Sequence, residues 1–170
     1  MGEADVRLTV VTREFGRITV KAPGLRKITS RRAPYLDLFQ HVKLFLTAGR
    51  TFNIITDVES YHGFEFLRTR LNRIGMAYKL TEICDRLLPE NEAHFEVFDA
   101  LLMAFRKLND EKSEAETVGD NFCLDLLKKL GYQPQTADLS GDKLNRALEE
   151  VMEKEIRSLP LLTKIKRSLR

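Results

Sequence analysis

The spacing of the apolar residues changes once along the chain, near residue 63. Before that point Val6, Leu8 and Val10 alternate with other residues at a period of two, which is typical of a half-buried strand. After it the apolar residues recur at intervals of three and four, which is typical of an amphipathic helix. The change predicts an α+β protein with a β module over residues 1–62 and a helical domain over residues 63–170. The first apolar stripe of the helical part is Phe64, Leu67, Leu71, Ile74 and Tyr78.

Turn residues divide the first part into four short strands. Turns are predicted around Gly16, at Pro23-Gly24 and at residues 48–51, and a polar, basic loop is predicted over residues 25–34. The strands fall near residues 6–11, 18–20, 36–46 and 52–58. Several short strands joined by tight turns favour a small barrel or a curled sheet over alternating strands and helices.

Helix-stop signals divide the second part into four helices and a short terminal turn. The first helix is predicted to end at Pro89, and Asn91 is predicted to cap the second. Gly131 is a suitable C′ residue for the third helix, and Pro160 is predicted to close the fourth. Residues 161–169 then form a last amphipathic turn with basic residues on one side.

Composition and cysteine use exclude several protein classes. Hydrophobic residues make up 43% of the 170 residues, which is ordinary for a folded chain and argues against disorder. No apolar run approaches the ~18 residues that span a bilayer, and the first residues lack the pattern of a signal peptide. Cys84 and Cys123 are 39 positions apart and form neither a disulfide framework nor a paired metal motif. We therefore expect a cytoplasmic protein that makes no membrane contact.

Catalytic and metal-binding motifs are missing from the sequence. No nucleophile elbow, phosphate-binding loop or zinc-protease motif occurs. His41, His62 and His94 are not spaced as metal ligands, so we expect no metal and no cofactor. These observations favour a binding protein over an enzyme, and we predict no catalytic residues. An unrecognised active site would need His41 or His62 to converge with acids in a pocket.

Positive charge is concentrated near the front of the chain. Residues 13–32 carry seven basic side chains and one acid, whereas the whole chain has a net charge of only +3. Clustered positive charge of this kind attracts the phosphates of nucleic acid, and the alternative is a solvated basic loop. Among the aromatic residues, Phe39, Phe45 and Phe52 are predicted to fill the barrel, and Tyr35 is the candidate for base stacking. The predicted DNA-binding residues are Arg13, Arg17, Lys21, Arg26, Lys27, Arg31, Arg32 and Tyr35.

Three arginines lie close together at the start of the helical part. Arg68, Arg70 and Arg73 could receive an acidic peptide tail, and the alternative is that they form the solvated face of the first helix. They define a second hypothesis, in which the protein is an adaptor with weak or no DNA binding.

Several phrases of the sequence resemble a known family. They are Gly2-Glu3-Ala4-Asp5, Arg7-Leu8-Thr9, Thr12-Arg13-Glu14, Gly16-Arg17-Ile18, the run from Arg31-Arg32-Ala33-Pro34 to Gly49-Arg50, and Leu130-Gly131-Tyr132-Gln133-Pro134. Their order and spacing over nearly the whole chain are similar to those of the bacterial recombination mediator RecO.

The resemblance carries its own expectations. It implies an N-terminal OB-fold followed by a helical domain. It also implies binding to single- and double-stranded DNA, and annealing of complementary strands without enzymatic activity. The implied partners are RecR, the acidic tail of the single-strand binding protein and, indirectly, the recombinase RecA.

The sequence departs from the family pattern in two places. Members of this family usually have a further strand before the Gly-Glu-Ala-Asp phrase, so we expect an open barrel or an incomplete start. Many members carry a four-cysteine zinc finger after the Leu-Gly-Tyr phrase, whereas Gln133–Asp138 contain no cysteine. The zinc element is therefore expected to be lost, and partner binding that depends on it is in question.

Overall fold

A four-stranded sheet is followed by six helices in the computed structural model, which describes residues 4–132 and 139–168. This architecture confirms the predicted α+β class. The strands are β1 (Val6–Thr12), β2 (Gly16–Ala22), β3 (His41–Thr47) and β4 (Asn53–His62), with a single 3₁₀ turn at Ala33–Tyr35. The predicted loss of a zinc element concerns residues 133–138, which lie outside the described ranges.

The strand order is β1-β2-β4-β3, so β1 and β3 are the two edges of the sheet. β1 pairs with β2 in antiparallel fashion, β2 runs parallel to β4 over a short stretch, and β3 pairs antiparallel with β4. Because β1 and β3 are not paired with each other, the sheet is an OB-like barrel left open on one side, as predicted. Its core is small and consists of Ile18, Val20, Ala22, Leu25 and Ile55.

The helices form a larger core of their own. They are α1 (Glu65–Thr69), α2 (Leu71–Leu87), α3 (Phe95–Leu108), α4 (Ala115–Lys129), α5 (Gly141–Met152) and α6 (Leu159–Ser168). Each of the longer helices buries one apolar stripe against the others, as an amphipathic pattern requires. Leu80, Leu108, Leu126 and Leu144 lie at the centre of this cluster and are fully buried. Within the described ranges, no helix is both long and apolar enough to cross a membrane.

The first predicted helix is in fact two helices. Phe64 is in the left-handed region and Arg70 is extended, so the helical phase restarts at Leu71. Because of this restart, α2 turns a different side to the core than the predicted apolar stripe. Leu71 is therefore 59% exposed, whereas Arg73 is only 7% exposed and faces the core.

Two other predicted helix ends were placed incorrectly. Pro160 lies in the first turn of α6, where proline is favourable, and α5 had already ended at Met152. Asn91 does not cap α3, because that helix begins at Phe95 and follows His94. In contrast, Gly131 has φ +81° just after α4, as the C′ prediction requires.

The sheet packs directly on the helices through the β1–β2 turn. Arg17 accepts a backbone hydrogen bond from the amide of Asn91 at 2.9 Å. A Cβ built on Gly16 would lie 1.7 Å from the carbonyl oxygen of Glu92, so only glycine permits this close approach. Phe39 lies against Tyr78 and Phe105 in edge-on ring contacts. The two cores are thus separate clusters that are joined by a close backbone contact and an aromatic contact.

Candidate nucleic-acid interface

The basic loop, defined here as residues 24–35, is attached at both ends to the sheet. Leu25 is buried in the sheet core, and the amide of Arg26 donates to the carbonyl of Ala4 at 3.1 Å. Within the loop the amide of Lys27 donates to Gly24, and that of Ser30 donates to Lys27. Gly24 has φ +64°, which the turn after β2 needs. The start of the loop is therefore held in place by a backbone hydrogen bond and by the buried side chain of Leu25.

Three basic side chains of this loop are exposed and unengaged. They are Arg26, Lys27 and Arg31. Over residues 4–132 and 139–168 none of their side chains has a hydrogen-bond or ion-pair partner. They are free to meet an anion without first breaking an internal contact.

Arg32 has a different position, because its guanidinium lies under the loop. Nη2 donates to the carbonyl of Pro23 at 2.8 Å, and Nη1 donates to the carbonyl of Ile55 on β4. These bonds tie the loop to the sheet and use the donors that a phosphate would need. We therefore assign Arg32 a structural role and remove it from the set of predicted DNA-binding residues.

The other predicted basic residues are already paired. Arg13 forms an ion pair with Asp99 at 3.2 Å, and Lys21 with Asp5 at 2.9 Å. Arg17 donates to the carbonyl of Leu88 and forms an ion pair with Asp85. The charge excess of residues 13–32 is thus divided between contacts that hold the molecule together and the free cations of the basic loop. Tyr35 is 46% exposed at the end of the loop.

Two aromatic–cation pairs on the outer face of the sheet were missed by the sequence reasoning. The guanidinium of Arg7 lies 5.3 Å from the ring centre of Phe52, and the ammonium of Lys43 lies 4.8 Å from that of Phe45. The prediction that Phe45 and Phe52 fill the barrel was wrong, since neither packs against the sheet core. The period of two could have placed Phe45 correctly, because it alternates with the inward residues Leu44 and Leu46. Phe39 fills a core, but it is the helical one.

The three arginines proposed for an acidic peptide do not form one surface. Arg68 pairs with Asp37 and donates to the carbonyl of Leu38. Arg70 is exposed beside the ring of Phe66. The guanidinium of Arg73 is buried and donates to the backbone carbonyls of Leu108, Asp110, Glu111 and Ser113. This placement removes Arg73 from the predicted set, and the peptide site stays a prediction that only Arg70 supports.

The histidines and cysteines do not assemble into a reactive centre. Burial, and then the positive charges of Arg106 and His62, lower the pKa of His41. Burial raises the pKa of Cys123 to about 12 and that of Cys84 further, so both thiols stay protonated near neutral pH. Throughout the part of the chain that the structure describes, no three His, Cys, Asp or Glu side chains are grouped to hold a metal ion.

Comparison with known protein families gives two matches that cover most of the sequence. The family described as "Recombination protein O N terminal" matches residues 1–64, and "Recombination protein O C terminal" matches residues 68–141. The chain belongs to the RecO family. The two RecO matches fall on the open sheet and on the first helices in the expected order.

Curated RecO relatives are similar to this chain over about four-fifths of its length. "DNA repair protein RecO" of Roseiflexus sp. (strain RS-1) is 42% identical over 134 residues, which are 79% of this chain and 47% of the relative. The protein of that name from Pelotomaculum thermopropionicum is 36% identical over 78% of this chain and 51% of its own length. That from Symbiobacterium thermophilum is 32% identical over 82% and 55%. The chain therefore spans about half the length of the RecO relatives that it matches.

Proposed function

We propose that this RecO-family chain is a non-enzymatic DNA-binding protein of recombinational repair, and that its basic loop contacts the phosphate backbone. The observation that carries the proposal is the free state of Arg26, Lys27 and Arg31 on a loop that is fixed at both ends. A fixed loop loses little conformational freedom on binding, so its charge is presented at low entropic cost. The names of the RecO relatives support a role in DNA repair.

The proposed mechanism is electrostatic and does not depend on base sequence. Basic side chains replace the counterions around the phosphates, and the released ions favour binding. The exposed ring of Tyr35, at the end of the basic loop, offers a face on which an unpaired base stacks. Two strands held near the same positive surface repel each other less. The chain would therefore bind single- and double-stranded DNA and promote annealing of complementary strands.

Charge reversal of the basic loop tests this proposal. The variant R26E/K27E/R31E is expected to bind fluorescent single-stranded DNA at least tenfold more weakly than the unchanged chain. The logarithm of the affinity falls as the logarithm of the salt concentration rises. Each lost phosphate contact makes this slope about 0.7 less steep, so the loss of three contacts makes it about 2 less steep. Arg32 is left unchanged because it holds the loop to β4.

A matched control separates loop contacts from net charge. The variant K107E/K112E/K128E reverses three exposed lysines of the helical part and changes the net charge by the same amount. It is expected to keep most of the affinity and of the salt slope. Equal losses in the two variants would mean that only overall charge matters, and the loop assignment would then fail.

The proposal includes the partners that the resemblance implies. These are RecR, the C-terminal tail of the single-strand binding protein and, indirectly, RecA, with the protein acting in the cytoplasm at the nucleoid. Family membership supports these partners. Isothermal titration of the chain with each purified partner tests them one at a time.

A further inference from the structure

The most exposed large apolar side chain of the described residues lies in the basic loop. Ile28 has a relative exposure of 105%, whereas no other large apolar side chain over residues 4–132 and 139–168 exceeds 61%. A single exposed apolar residue is common on a protein surface and needs no explanation by itself. The position of this one is unusual, because the free cations of the loop lie on both sides of it. Arg26 and Lys27 precede it, and Arg31 follows it.

Two successive turns place Ile28 at the tip of the loop. The amide of Lys27 donates to the carbonyl of Gly24 at 3.0 Å, and the amide of Ser30 donates to the carbonyl of Lys27 at 2.9 Å. The second hydrogen bond closes a β-turn in which Ile28 and Thr29 are the central residues, and both are exposed. Because hydrogen bonds fix both turns, the apolar side chain is presented at a defined place.

The tip is anchored on both sides, which keeps Ile28 in water. Before it, the side chain of Leu25 is buried in the sheet core. After it, the guanidinium of Arg32 donates to the carbonyls of Pro23 and Ile55. An apolar side chain that stays in water carries a free-energy cost, which is recovered when a partner buries it. The folded chain therefore holds an apolar group ready for a partner in the middle of its free positive charge.

The surroundings of Ile28 favour nucleic acid as this partner. No acidic residue occurs between Glu14 and Asp37, so every charged side chain of the loop is positive. Phosphates attract such cations, and proteins that bind DNA insert single apolar side chains, isoleucine among them, between neighbouring bases. An anionic membrane attracts cations as well, but one apolar side chain anchors a protein there only weakly and reversibly. A step between two bases, in contrast, needs only one.

We propose that Ile28 is an apolar wedge, which enters between two neighbouring bases of a DNA strand while the three free cations of the loop hold its phosphates. The inference rests on the proposed DNA binding by the basic loop and adds which DNA the loop prefers. Separation of stacked bases costs less in a single strand or at a mismatch than within an intact duplex. The wedge therefore strengthens binding to unpaired DNA more than binding to a perfect duplex.

Replacement of Ile28 tests the wedge separately from the charges. I28S removes the apolar surface and keeps every cation, so it is expected to bind fluorescent single-stranded DNA about tenfold more weakly than the unchanged chain. The loss should be smaller for a perfect duplex. The dependence of the affinity on salt should stay the same, because the variant loses no phosphate contact. I28M keeps an apolar side chain of similar volume and is expected to bind within about twofold of the unchanged chain.

The fluorescent base 2-aminopurine reports the insertion itself, since its emission rises when neighbouring bases no longer stack on it. A short single strand of alternating 2-aminopurine and adenine is expected to brighten when the unchanged chain saturates it. I28S at saturating concentration is expected to bind this strand without the rise. L71S serves as the control, because Leu71 is 59% exposed on α2, outside the basic loop. It should match the unchanged chain in affinity and in fluorescence.

The outcomes separate this inference from the proposed function. If R26E/K27E/R31E weakens binding but I28S matches the unchanged chain in affinity and fluorescence, the wedge is wrong and the electrostatic proposal stands. If the unchanged chain does not bind single-stranded DNA, both fail. A weaker salt dependence in I28S would mean that Ile28 acts through the cations, which also overturns the wedge. Binding to phosphatidylcholine vesicles that contain phosphatidylglycerol, lost in I28S while DNA binding is unchanged, would make the tip a membrane contact instead.

Discussion

Arginine in this chain serves two purposes that the sequence does not distinguish. The side chains of Arg26 and Arg31 are exposed and have no hydrogen bond or ion pair with residues 4–132 or 139–168. The guanidinium groups of Arg32 and Arg73, in contrast, donate to backbone carbonyls. The planar group with five donors can satisfy several carbonyls at once, which makes it suitable for closing irregular loops. A basic cluster in a sequence therefore overestimates the charge that is free to bind a ligand. The partners of Arg73 lie 35 to 40 positions away, so no local pattern could have revealed its burial.

Loss of the Arg73 guanidinium should destabilise the helical domain. Arg73 donates to four backbone carbonyls around the α3–α4 loop, and R73M would leave them without these donors in a poorly solvated place. Unsatisfied buried acceptors cost enough that we expect a loss of about 3 kcal/mol in the free energy of unfolding. Urea denaturation followed by circular dichroism measures it.

The neighbouring Arg70 provides the control for this substitution. Its side chain is exposed, so R70M is expected to change the free energy of unfolding by no more than about 0.5 kcal/mol. If R73M and R70M have the same small effect, the four hydrogen bonds contribute nothing to stability, and the structural role of Arg73 is wrong.

At the level of single helices and strands, the sequence predicted the element positions and ends that are encoded by residues within the element itself. The alternation of Val6, Leu8 and Val10 placed β1, and Gly131 placed the end of α4, because both signals lie within the element itself. The break at Arg70 could not be predicted, since no proline or glycine marks the position at which the backbone becomes extended. Pro160 was misplaced because proline both ends helices and begins them.

One carboxylate holds the start of α6, and its charge should make stability depend on pH. Glu82 accepts hydrogen bonds from the amides of Arg157 and Ser158, each at 2.8 Å, and pairs with Arg86. Burial raises the pKa of Glu82, but the hydrogen bonds from Ser158 and Arg157 and the charge of Arg86 outweigh it, so the net pKa is lowered. Because the folded pKa lies below the unfolded value of about 4.3, the stabilisation is complete above that pH and is lost as the pH falls further.

Replacement of this carboxylate by an amide tests the argument. E82Q is expected to lower the free energy of unfolding by about 1–2 kcal/mol at pH 7, and the difference from the unchanged chain should shrink at pH 3. Urea denaturation at the two pH values gives both numbers. E150Q, at an exposed glutamate of α5, serves as the control and should show no such difference. A difference for E82Q that stays constant down to pH 3 would contradict the ionic origin of the effect.

At the scale of the whole molecule, the two cores are very unequal. The helical cluster buries residues of α1 to α5 and of the loops between them, and Leu159 of α6 packs against it, whereas the sheet cluster has five buried residues. Part of what stabilises the sheet comes from the helices, through the contacts of Gly16, Arg17 and Phe39. The change of period near residue 63 marks the boundary between the sheet and the helices, and the unequal cores predict that the two parts differ in their stability as separate fragments.

We propose that the helical part is an independent folding unit and that the sheet is not. A fragment of residues 63–170 keeps the larger core and is expected to unfold cooperatively in urea, whereas a fragment of residues 1–62 is expected to lack a cooperative transition. A chain of about 60 residues is already marginal with a complete core, and here one side of the barrel is open.

Proton–nitrogen correlation spectra of the two fragments, compared with that of the full chain, measure their order. Mixing them supplies the control, because the contacts at Gly16 and Arg17 should restore dispersed signals to the sheet fragment when the helical fragment is added. A sheet fragment that is well ordered by itself would show that the boundary near residue 62 separates two autonomous domains, and that docking on the helices orients the basic loop without stabilising it.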